Sequence, residues 1–185
     1  MAANRRGKQT ARDMILSMAV IGVAAAIVYF FVPHSEGDPV RTVDYRVEVL
    51  SARRAAPFPV LAPDGLSKDW RATSVSYRHL DPEAEGAVWH LGFINPQDEY
   101  AAVEQSNGPA EAFIADKSKS AERSGTTVVR GKTWERYSGP KYNALVRQEK
   151  DVTTVVTGTA PHRQLAVLAA ALSSSASPAP ADPSN

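Results

Sequence analysis

His90 sits between Trp89 and Leu91 in the apolar stretch 88–94, VWHLGFI. An imidazole there can act as a general base if a carboxylate or a nucleophile lies beside it. Side chains alternate across a strand, so His90 faces away from both neighbours. Glu104 and Tyr100, in the next predicted strand, are its expected cross-strand company. The more ordinary use of such a residue is a structural histidine hydrogen-bonded within the sheet, and that use is expected here. His34, His79 and His162 fall in loops or at element ends without metal-ligand spacing. Asp81, Glu83 and Glu85 crowd one connection. They lack the oxygen-ligand pattern of an EF-hand and read as a solvated acidic turn.

Other chemistries are excluded by composition or motif. The chain has no cysteine, which removes disulfides, thiolate metal sites, iron–sulfur clusters and thiol nucleophiles. No Gly-x-Ser-x-Gly elbow, Ser-x-x-Lys motif or phosphate loop is present, and Gly131-Lys132-Thr133 lacks the upstream glycine of a P-loop. Trp70, Tyr77, Trp89, Tyr100, Trp134 and Tyr137 all fall in predicted strands. With His90 they either line a pocket for a small apolar or glycan ligand or fill the core under helices. No catalytic, cofactor-binding or metal-binding residue is assigned, and the chain is not expected to be an enzyme.

The elements that would position these groups follow from periodicity. Residues 43–50 alternate like a strand, yet Val43, Val47 and Leu50 also share a helical face. A helix is expected, capped by Thr42 and ended before Pro57. Pro57, Pro59 and Pro63 enforce an extended segment across the domain. Strands are expected over 70–78, with Ala72, Ser74 and Ser76 on one face, and over 88–94 and 99–105. Residues 81–86 form a polar hairpin connection. Residues 109–124 read as a helix started at Pro109 and closed by Gly125. It carries few apolar residues, so it covers one surface of a sheet. Strands follow over 126–129, 133–137, 144–148 and 152–159, joined by short links that imply antiparallel neighbours. Leu165, Leu168 and Leu172 mark a last amphipathic helix over 164–172. The fold class is α+β: an antiparallel sheet of about six to seven strands with helices packed on it.

Residues 14–32, MILSMAVIGVAAAIVYFFV, carry no charged side chain. As a helix they would span about 28 Å, close to the hydrocarbon core of a bilayer. Arg5, Arg6, Lys8 and Arg12 precede the run, while Glu36 and Asp38 follow it before the first base, Arg41. The positive-inside rule puts the N-terminus in the cytoplasm and the rest outside. A cleaved signal peptide is the rival, but the apolar run continues past the small residues 24–26. The expected organisation is a basic cytoplasmic leader over 1–13, a transmembrane signal anchor over 14–32, an extracytoplasmic α+β domain over 38–172 and a disordered Ser/Pro/Ala tail over 173–185. Four of the 21 bases and one of the 20 acids lie before residue 33, so the remainder is slightly acidic. That balance gives no footprint for nucleic acid.

Several blocks together resemble a known family. They are Val43-Asp44-Tyr45; Pro59 to Pro63 with Trp70 to Val75; Trp89-His90-Leu91-Gly92 running into Glu99-Tyr100 and Glu104-Gln105-Ser106; Trp134 with Tyr137; and Val155 to Ala160. In this order they resemble domain-of-unknown-function family 4245, found as single-pass membrane proteins in actinobacteria. The resemblance covers about residues 5–172. It implies an anchored protein of the bacterial envelope and carries over no catalytic residue. The expected function is a non-catalytic binding or scaffolding module, tethered to the bilayer through residues 14–32 and meeting an envelope protein or a small apolar or glycan ligand. The alternatives are a membrane-tethered regulator or sensor, and an envelope hydrolase using His90 with Glu104.

Overall fold

The computed structural model describes residues 14–23, 42–80 and 86–174. The chain divides into two compact units, residues 1–39 and 40–185. In the first unit residues 14–23 are helical with exposed side chains, and Ser17 Oγ donates back to the Met14 carbonyl at 3.1 Å. No helix among the described residues is long and apolar enough to cross a membrane. The predicted transmembrane helix over 14–32 is therefore not supported: only its first ten residues are seen as helix, and 24–32 lie outside the described residues. The acidic connection at 81–85 also lies outside them.

The second unit opens with α1, Arg46–Ala55. The helix is where periodicity placed it, but Thr42 does not cap it. Tyr45 occupies the cap position without a side-chain bond, and Asp44 Oδ1 instead accepts from the Arg46 N–H at 3.1 Å. Ala56 turns extended ahead of Pro57, as the pre-proline clash requires. The chain then runs extended into β1, Ala62–Pro63. Strands β2 (Arg71–His79), β3 (Ala87–Ile94) and β4 (Tyr100–Ser106) follow, then α2 (Ala110–Ser118). A meander of β5 (Glu122–Val129), β6 (Lys132–Ser138), β7 (Asn143–Glu149) and β8 (Val152–Gly158) leads to α3 (His162–Ala171) and β9 (Leu172–Ser173).

Seven strands form one antiparallel sheet in the order β2-β3-β4-β8-β7-β6-β5. The class is α+β, as the sequence implies. After β4 the chain crosses by α2 to the far edge and returns through the meander to pair β8 with β4. That closure needs glycine at 158: a Cβ there would collide with the Tyr100 carbonyl, and its φ is +158°. A separate pair, β1 with β9, takes in Ser173.

α1 and α3 cover one face. Val49 and Ala52 of α1 and Leu165, Leu168 and Ala169 of α3 pack against Trp89, Leu91, Phe93, Val103, Trp134 and Val156. Buried Gln105 fastens the extended segment over this core. Its Oε1 accepts from Leu61 N–H at 2.7 Å and its Nε2 donates to the Pro59 carbonyl at 3.2 Å. Trp89 Nε1 donates to the Leu61 carbonyl at 3.0 Å.

α2 covers the other face over β7, β8 and β4, burying Ile114 against Ala144, Val146 and Val155. It is shorter than the expected 109–124. Lys119 and Ser120 both take left-handed conformations, and Ser120 N–H bonds back to the Ala115 carbonyl at 2.8 Å. Gly125 closes no helix; it sits in β5 beside a bulge.

Candidate functional site

The α2 side of the sheet carries a row of polar side chains. It begins with register. His90 on β3 lies directly opposite Glu104 on β4 and Ser76 on β2, while Ser74 lies opposite Gly92. A bulge between Ala72 and Ser74 adds one residue to β2. Ala72 thereby returns to the core face opposite Phe93, and Ser74 stays on the His90 face. The expectation that Ala72, Ser74 and Ser76 share a face is corrected at Ala72: the bulge breaks the alternation.

Distances then link the groups. His90 Nδ1 is 2.7 Å from Glu104 Oε1, and His90 Nε2 is 2.7 Å from Ser74 Oγ. A carboxylate only accepts, so Nδ1 carries the proton, and a neutral ring presents its Nε2 lone pair to the Ser74 hydroxyl. The Tyr100 phenol lies beside Ser74, both reaching the space above Gly92. At the other end the Lys117 ammonium, from the last turn of α2, is 3.4 Å from Glu104 Oε2. That oxygen has no directed hydrogen bond, so Lys117 acts on it as a point charge. The order is Tyr100, Ser74, His90, Glu104, Lys117.

Burial grades along this chain. The Glu104 side chain is 6% exposed, Lys117 17% and His90 22%. Ser74 and Tyr100 are half-buried. Burial, followed by the charge of Glu104 and the nearby Tyr142, pushes the Tyr100 phenol up to about 12, with the neighbouring Ser74 hydroxyl pulling the other way. Tyr100 therefore stays protonated, and a donor, at neutral pH. Gly92 makes the junction possible. A Cβ built there would collide with Ser74 Oγ and lie 3.1 Å from the Tyr100 hydroxyl. The C-terminal end of α2, which supplies Lys117, is tied down by Thr157, whose Oγ1 bonds the Lys117 and Asn143 carbonyls at 3.0 and 3.1 Å.

The aromatic residues singled out in the sequence do not converge. Trp89 and Trp134 are fully buried on the α1/α3 face, and Trp134 has the Arg147 guanidinium 4.7 Å over its ring. Trp70 stacks edge-on against Phe93, and Tyr77 packs on the same core. Tyr100, Tyr137 and His90 lie on the α2 face. Tyr100 approaches Tyr142 at 6.2 Å, and Tyr137 donates to Glu135 at 3.2 Å. Among the described residues, two of the clefts are lined by none of these aromatics. One of about 520 Å³ is lined by Lys68, Asp69, Arg71, Asn95, Pro96 and Asp98. The other, about 360 Å³, lies between the turns at 106–110 and 148–153. Among the described residues no group of three His, Cys, Asp or Glu side chains could hold a metal ion.

Sequence reasoning found His90, Glu104 and Tyr100 as neighbours but missed Ser74 and Lys117. Gly92, a glycine inside a strongly apolar strand, was the one available signal, because it marks close approach of another group.

Fold and site together define an α+β domain with helices on both faces of a seven-stranded antiparallel sheet and a polar network on one of them. Residues 6–172 match the family described as "Protein of unknown function (DUF4245)", and the chain belongs to that family. No curated protein and no solved structure matches it.

Proposed function

We propose that this chain is a membrane-anchored domain of the bacterial cell envelope that binds or scaffolds, meeting its ligand with the α2-side face of the sheet. One observation carries this reading: Ser74, His90, Tyr100 and Tyr142 are part-exposed together there, while the opposite face is sealed by α1 and α3. Hydroxyl, imidazole and tyrosine rings side by side suit a polyhydroxylated ligand, which needs both directed hydrogen bonds and flat apolar surface. A glycan of the envelope fits that chemistry better than an apolar molecule. The charge-free run 14–32 with its basic leader supports attachment as a single-pass signal anchor, N-terminus inside.

Two measurements test the reading. In an NMR titration of the full chain in detergent micelles with soluble cell-wall glycan fragments, shift changes are expected at Ser74, His90, Tyr100 and Tyr142. Changes confined to α1 and α3, or none at all, sink the binding face. The absence of native cysteine makes topology mapping clean. A cysteine placed at residue 3 is expected to resist an impermeant maleimide in intact cells, and one at residue 180 to react. The reverse pattern rejects the orientation.

A further inference from the structure

Binding alone gives no reason for the order of the groups on this face. Ser74 Oγ meets His90 Nε2, and His90 Nδ1 meets Glu104, each at 2.7 Å. That is the connectivity of a nucleophile, its general base and the acid that orients the base. Two serines of β2 flank the ring. Ser76 lies directly opposite His90 yet is exposed, and the imidazole bonds instead to the diagonal Ser74. Gly92 leaves the space that lets Ser74 Oγ lie over β3, and the Tyr100 hydroxyl reaches into the same space. A phenol donor beside the nucleophile is where an acyl oxygen developing negative charge needs one.

We infer that Ser74 is an acyl-accepting nucleophile, activated by His90, with Glu104 positioning the ring and Tyr100 donating to the oxyanion, and that its substrate is a carboxylic ester. The placement of that ester on an envelope carbohydrate rests on the binding reading above; the nucleophile does not. The step balances without a further cofactor. Ser74 Oγ bonds to the acyl carbon while its proton passes to His90 Nε2. The carbon–oxygen bond to the leaving alcohol breaks, and that alcohol takes the proton from His90. Water then adds to the acyl-serine with His90 again as base, which releases a carboxylic acid and restores Ser74. Lys117, paired to the far oxygen of Glu104, holds the carboxylate that sets the ring.

The test uses the purified full chain in detergent micelles with a fluorophosphonate, which loses fluoride as the serine oxygen bonds to phosphorus. Peptide mass spectrometry locates the adduct. One adduct per chain, on Ser74, is expected; it is lost in Ser74→Ala and kept in Ser76→Ala. His90→Gly is expected to slow labelling by about 10²-fold or more, with partial recovery on adding imidazole. His90→Asn serves as the second variant should the glycine variant unfold. For Glu104, the readout is the far-downfield proton resonance of His90 Nδ1–H, expected in the native chain and in Ser74→Ala and absent in Glu104→Gln. No adduct, an adduct on another serine, or a Ser74 labelling rate unchanged by loss of His90 overturns the inference. None of these outcomes involves a glycan, so failure of glycan binding and failure of the nucleophile are separately visible.

Discussion

The two faces of the seven-stranded sheet are built from alternate residues of the same strands and do opposite work. On β3, Trp89, Leu91 and Phe93 face α1 and α3, while His90 and Gly92 face the other way. On β4, Val103 and Gln105 look to the core and Glu104 to His90. The first face is apolar and closed, and its few polar atoms, such as Gln105 Oε1 and Trp89 Nε1, are saturated by the extended segment over it. The second is apolar only under α2, where Ile114, Val146 and Val155 meet. Beyond α2 it turns polar and opens to solvent. A strand can thus hold a domain together with its odd residues and offer chemistry with its even ones. Substitutions at adjacent positions should therefore have unlike consequences.

The largest effect is expected on the closed face. Trp89→Ala leaves a cavity and an unpaired Leu61 carbonyl, and should lower unfolding free energy by about 3–5 kcal/mol in chemical denaturation. A loss under 1 kcal/mol would mean that this face is not the stabilising one. On the open face, Glu104→Ala strands the His90 Nδ1–H and leaves the Lys117 ammonium with only Asp116, 3.6 Å away. A sealed ion pair would cost about 3–5 kcal/mol to break; His90 and Lys117 both reach solvent, so about 2 kcal/mol is expected. Gly92→Ala sits between the two faces in character. Its methyl must displace Ser74 Oγ, so it should cost about 1–2 kcal/mol by overpacking and also abolish the serine–histidine hydrogen bond, seen as altered His90 ring shifts by NMR. Arg123→Ala, which removes the exposed pair with Glu135 at 2.9 Å, should cost less than about 0.5 kcal/mol.

The last prediction vanishes at neutral pH. The Tyr100 phenol is raised to about 12 in the folded chain, against an ordinary value of 10.0. Between those values the folded state holds a proton the unfolded state has lost, so stability falls as pH rises through that window and is unaffected below it. Tyr100→Phe should flatten that part of a stability-against-pH profile. An unchanged profile would place the phenol in solvent and remove it from the polar network.

Much of this architecture was legible as pattern. Proline positions announced the extended segment, and alternation set His90 opposite Trp89 and Leu91. Leu165 and Leu168 marked the face of α3 that is buried. Three things were not legible. The bulge at Ala72/Ser74 changes which residues of β2 share a face, and nothing in Arg71-Ala72-Thr73-Ser74 announces it. The early end of α2 rests on left-handed Lys119 and Ser120, residue types with no intrinsic preference for that conformation. The aromatic residues all lay in strands, but their division between two faces depended on strand pairing.

By itself the sequence determined the charge-free run 14–32, the absence of thiol chemistry, the α+β class and the face on which His90 lies. These are local quantities, set by composition and by the two-residue repeat of a strand. Only the tertiary structure decided that β8 closes on β4, that Lys117 of α2 reaches Glu104, and that His90 bonds Ser74 rather than Ser76. Those are matters of register and of approach between segments far apart in the chain. A shift of one residue in β2, β3 or β4 would move that strand's member, Ser74, His90 or Glu104, to the opposite face.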